Sequence, residues 1–133
     1  MMNSPLMIGC DVRNMTEQTK KILLNKDLIA INQDIECRAP FQVQCTSNSP
    51  DTYVLVKFLS NGDIAIGMFN FGDTPTLAVV DFWDLGLPTS AGKCLEIYDC
   101  IEHENIGKKS EMLTATVAAH GSKVYRCKMV EKE

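Results

Sequence analysis

Two hydrophobic rhythms divide this chain. Near its start, Leu6-Met7-Ile8-Gly9-Cys10 is a continuous apolar run, the pattern of a strand covered on both faces in a parallel sheet. Ile22, Leu23, Leu28, Ile29 and Ile31 then give a helical region one apolar side. Thr16 offers an N-cap hydroxyl, Glu17 a charge favourable to the helix start and an i,i+4 partner for Lys21, and Asn25 a break near the middle. This is the grammar of a βα repeat. One strand and one helix cannot build a sheet, so the chain is expected to begin partway through a larger α/β protein.

From Asp34 to Pro50 the rhythm lapses into Pro, Ser and Asn, which predicts a linker with one short strand around Phe41 to Cys45. Beyond Pro50 the period becomes 2. Strands are predicted at Tyr53 to Leu59 and Asp63 to Asn70, joined by an Asn61-Gly62 turn with both positions at positive φ. Others follow at Thr76 to Phe82, Cys94 to Tyr98, Met112 to Val117 and Lys123 to Met129. Breakers separate them at Gly72 to Pro75, Pro88 to Gly92, Asn105 to Lys109, and His120-Gly121. The predicted fold is mainly β, an antiparallel Greek-key sandwich after a strand–helix remnant. The division is residues 1–34, a linker at 35–50, and a β-domain at 51–133. In the first hairpin Val54, Val56 and Phe58 face one side and Tyr53, Leu55 and Leu59 the other. A sandwich strand needs one apolar face, so the second is expected to dock onto something.

Composition changes this picture little. The 133 residues are 45% hydrophobic with a net charge of −4, and no basic cluster suits a phosphate backbone, which argues against nucleic acid. No apolar run is long enough to cross a bilayer, and Met1 to Ser4 lacks the pattern of a signal peptide. The six cysteines (10, 37, 45, 94, 100 and 127) are irregularly spaced. That favours reduced, mostly buried thiols and slightly favours a cytoplasmic setting, although the spacing leaves localisation open.

Ser4-Pro5-Leu6-Met7-Ile8-Gly9-Cys10-Asp11-Val12-Arg13, Asn25 and Ile29-Ala30-Ile31-Asn32-Gln33-Asp34 resemble the end of the catalytic barrel in α-galactosidases (melibiases) of glycoside hydrolase family 27. The remainder resembles that family's C-terminal β-domain, through Asn61 to Asn70, Asp81 to Leu87 and Val117 to Gly121. The first 34 residues are the most specific part. Ile35 stands where the family commonly has proline, and Glu96-Ile97-Tyr98-Asp99 replaces a frequent Asp-Leu-Trp. These departures leave the substrate open between α-galactosides, α-N-acetylgalactosaminides and related glycosides. The resemblance implies a retaining hydrolase whose two catalytic aspartates stand about 5–5.5 Å apart on earlier barrel strands. This chain contains neither motif, so no catalytic residue is carried over and the chain alone is expected to be inactive. The implied partner is the barrel, with the α-galactoside a substrate of the whole enzyme only. Pairing of two copies through the exposed docking face is a further expectation.

No cofactor or metal is expected. Asp11 and Arg13 fall where a barrel strand would end; the sharp reading is a site role, the ordinary one a locally paired turn. Trp83, Phe82 and Tyr98 offer flat faces for a sugar ring, against core or interface packing as the ordinary alternative. Cys10 as a nucleophile lacks a visible base and suits packing better. Cys94, Cys100, His103 and Cys127 have the wrong spacing for a structural zinc site, and a Cys94–Cys100 disulfide is a minor alternative. Asp81 with Asp84, Glu102 with Glu104, and His120 sit in polar turns, where solvated charge is the default.

Overall fold

A computed structural model describes all 133 residues. Helix α1 (Glu17–Leu23) and helix α2 (Lys26–Asn32) precede eight strands: β1 (Phe41–Val43), β2 (Thr52–Phe58), β3 (Ile64–Asn70), β4 (Thr76–Asp81), β5 (Lys93–Asp99), β6 (Glu104–Lys109), β7 (Met112–Val117) and β8 (Ser122–Glu131). A six-stranded antiparallel sheet runs β1-β2-β3-β8-β5-β6, and a second, β4-β7, has two strands. The fold is the antiparallel β-sandwich that period-2 patterning predicts.

The core lies between the sheets. Val54, Val56, Ile66, Met68, Leu95 and Ile97 from the large sheet meet Ala78, Val80, Leu113 and Val117 from the small one, all buried. Phe82, just past β4, is fully buried at one end of this layer. Asn70 organises the β3–β4 turn from within: its Nδ2 donates to the carbonyls of Thr74, Val117 and Ala118, and its Oδ1 accepts from Gly72 N. A buried amide so fully partnered costs the fold little and fixes the turn.

Four expectations need correction. Leu6–Cys10 is not a strand: it has no regular structure, and Leu6, Met7 and Ile8 are 61%, 90% and 58% exposed. A parallel strand exists only through neighbours that bond its backbone, and this chain supplies none. The first hairpin turn is not a two-residue Asn-Gly turn. Leu59 and Asp63 close it around Ser60-Asn61-Gly62, and only Gly62 has positive φ (85°). Glu17 pairs with Lys20 at 2.9 Å, not with Lys21. Asn105 to Lys109 is strand β6 and not a breaker. Its polarity is that of an edge strand with only Ile106 turned to the core, paired to β5 across a register shift at Ile97/Tyr98.

Candidate functional site

The side chains singled out for chemistry are scattered. Asp11 and Arg13 form a local turn, with Arg13 N donating to Asp11 Oδ1 at 3.0 Å and Arg13 Nε at 3.2 Å. These hydrogen bonds hold the exposed Asp11 carboxyl below the usual range. The aromatic trio makes no platform. Phe82 is sealed in the inner core, Tyr98 packs against the cluster on the outer face of the large sheet, and Trp83 alone is exposed, at 70%. All six cysteines are free thiols, but only Cys94, Cys100 and Cys127 are buried; Cys10 is exposed and not packed as expected, because the strand that would bury it is not formed. Cys127 belongs to the inner core and Cys100 to the outer cluster. Asp81 caps the turn that follows it, accepting from Trp83 N at 2.8 Å. His120 rests on Asp73 in a solvent-facing loop.

What the fold does assemble is a surface. The outer face of the large sheet carries its own small core of Ile31, Leu59, Ala65, Cys100 and Val124, with Met1, Leu28 and Tyr98 packed around it. Helix α2 lies on this face. Beside it opens a groove of about 1030 Å³ lined by 18 residues, 15 of them hydrophobic. One wall is sheet (Tyr53, Leu55, Phe69 and Val124) with Phe71 just past β3, and the other is Leu6, Met7, Ile8, Ile22 and Leu23 from the start of the chain. Gly67 lies in the sheet wall: a Cβ there would stand 2.7 Å from the Phe69 ring and 3.2 Å from Met1, so a side chain would displace both. So much apolar area gathered in one open groove is uncommon, since isolated soluble proteins seldom leave such patches bare.

Polar groups fasten α2 to this face. Its N-cap, Asn25, accepts from the N–H groups of Asp27 and Leu28 and donates to Cys100 O at 2.8 Å. Asp27 also meets His103 at 3.0 Å. After α2, Asp34 accepts from Ser60 N and Ser60 Oγ, which ties the helix exit to the first hairpin turn and holds its carboxyl below the ordinary value. Lys57, fully buried on β2, reaches α2 from the sheet. Sequence reasoning passed over it, although the signal was present: Lys57 shares the outward parity of Tyr53 and Leu55 on a strand read as apolar on both faces.

The chain has many relatives in sequence and structure. Residues 49–127 match the family described as the α-galactosidase C-terminal β-sandwich domain, and residues 1–34 match that described as α-galactosidase A. The chain is 32% identical over 123 residues to an α-galactosidase of Coffea arabica, covering 92% of this chain and 31% of that protein. It is 32% identical over 127 residues to α-galactosidase 3 of Arabidopsis thaliana, covering 94% and 28%. The crystal structure of α-galactosidase I from Mortierella vinacea aligns with a TM-score of 0.83 at 27% identity, over 98% of this chain and 32% of that one. The α-galactosidase of Saccharomyces cerevisiae, solved with raffinose, gives 0.82 at 21% identity over 96% and 41%, a likeness of fold. The chain therefore spans less than a third of the length of the two plant relatives.

Proposed function

Since the chain belongs to the family of α-galactosidase C-terminal β-sandwich domains, we propose that it is the non-catalytic closing portion of an enzyme hydrolysing terminal α-galactosides. In this reading residues 1–34 are the last βα unit of the catalytic barrel, residues 35–50 the linker and residues 51–133 the β-domain against which the barrel rests. The observation that carries it is the pairing of an apolar groove with an unpaired apolar segment. Leu6–Cys10 lacks strand neighbours, and Leu55, Phe69 and Phe71 lack a covering layer. A barrel supplies both at once. Barrel active sites are built from loops after several strands, and Asp11 would lie on one such loop, contributing to the rim rather than to bond cleavage.

The test is a hybrid in which this chain replaces the matching third of the Mortierella vinacea enzyme. The hybrid should hydrolyse an aryl α-galactoside, whereas the 133-residue chain alone should not. A folded, soluble hybrid with no turnover, or activity co-purifying with the chain alone, would overturn the reading. A second reading, a free-standing sugar-binding module, rests on the exposure of Trp83. A saturable change in Trp83 fluorescence on titrating raffinose would favour it.

A further inference from the structure

Lys57 is a lysine with no exposed surface. A buried ammonium is costly unless acceptors surround it. Both acceptors of Lys57 are neutral. Nζ donates to Asn3 Oδ1 at 2.5 Å and to the carbonyl of Ile31 in the last turn of α2. The C-terminal carbonyls of a helix are its unsatisfied, partly negative end, so the cation sits where the helix dipole favours it.

The groups around it form one connected node. Asn3 Nδ2 donates to Arg38 O at 2.8 Å, so its amide joins Lys57 to the chain beyond α2. Asn32 Nδ2 donates to Met2 O at 2.8 Å and to Ser4 O at 3.0 Å, and Gln33 Nε2 donates to Asn32 Oδ1. A sheet residue, a helix end and the leading segment thus share one cluster. The exposed run Leu6–Cys10 departs two residues after its last contact.

We infer that Lys57 is a positioning residue: a buried cationic pin that joins α2 and residues 2–4 to the β-domain and fixes where Leu6–Cys10 leaves it. The pin stands on this chain's own geometry. That it thereby aims a barrel strand rests on the function proposed above. Hydrogen exchange on the 133-residue chain bears on the pin alone, so its outcome is separable from that of the hybrid enzyme.

The experiment compares wild type with Lys57→Met, which keeps length and apolar stem, and with Asn3→Ala, which removes one acceptor at a half-buried position. In Lys57→Met the amides of residues 29–33 should exchange at least about tenfold faster, while those of β3 and β8 keep their protection. Asn3→Ala should accelerate the same amides by a smaller factor. The urea midpoint of the sandwich should hold or rise in Lys57→Met, as replacing a buried charge by an apolar side chain often allows. Unchanged α2 exchange in both variants would overturn the inference. So would equal acceleration in α2 and the strands, which would make Lys57 an ordinary packing residue. Should Lys57→Met fail to fold, Asn3→Ala decides between the same two outcomes.

Discussion

Helices α1 and α2 are neighbours of equal length, seven residues each, and their local chemistry is alike. Thr16 caps one, accepting from Thr19 N, and Asn25 caps the other. Both carry an acidic residue in the first turn. Their fates differ: α1 buries no residue, with Ile22 63% exposed, whereas α2 buries Ile31 and Asn32 and is bonded at both ends to the β-domain. A helix of this length is marginal alone in water, so caps decide where it starts and tertiary contacts decide whether it is held. Within the helical region, the boundary between what the β-domain holds and what stays exposed therefore falls at Asn25.

That boundary can be broken most forcefully by cutting side chains on either side of it. Ile31→Ala removes a fully buried side chain from the outer cluster and should cost about 2–4 kcal/mol in urea denaturation, whereas Ile22→Ala should stay within about 0.5 kcal/mol. Equal losses would erase the distinction.

Caps give a smaller effect. Asn25→Ala deletes the N-cap of α2 and leaves Cys100 O without its donor, for about 1–2 kcal/mol, whereas Thr16→Ala should alter helical circular dichroism slightly and leave the midpoint in place.

The smallest effect is chemical. Cys10, beside α1, is exposed, whereas Cys100, beneath α2, is buried and its thiol is pushed up to about 11, first by burial and then by Asp27 and Asp99. Burial likewise pushes Cys127 up to about 12. The thiolate is the reactive form. Iodoacetamide at pH 8 should therefore modify Cys10 and the exposed Cys37 and spare Cys100 and Cys127, read by intact mass, with no change in the urea midpoint. Early modification of Cys100 would mean that α2 opens as freely as α1.

Where side chains alternate by burial, the sequence was transparent. Val54, Val56, Ile64, Ile66 and Met68 announce the core face of β2 and β3, and Met112–Val117 is a strand as its pattern requires. Legibility failed where polarity has two meanings. Asn105-Ile106-Gly107-Lys108-Lys109 reads as a turn because an edge strand with a single core-facing apolar residue, Ile106, has no alternation to show. It failed again at Leu6–Cys10, where the pattern is that of a buried strand but burial depends on atoms outside the chain. The groove was foreshadowed by the two apolar faces of β2. Its polar fastening was not, because a lysine carries no mark in sequence of whether a helix end will close over it.

The position of β8 has a consequence for synthesis. It is the last strand in the chain and lies fourth in the six-stranded sheet, bonded to β3 on one side and β5 on the other. Until residues 122–131 have left the ribosome, β1-β2-β3 and β5-β6 are two unconnected ribbons. Each has a raw edge that another nascent chain could pair with, and short ribbons are marginal in water. β8 must also close loops back to β3 across some fifty residues, an entropic cost repaid only when both of its ladders zip. Folding of this domain therefore waits on β8, and a chain cut before Ser122 would keep two ribbons with no strand to join them.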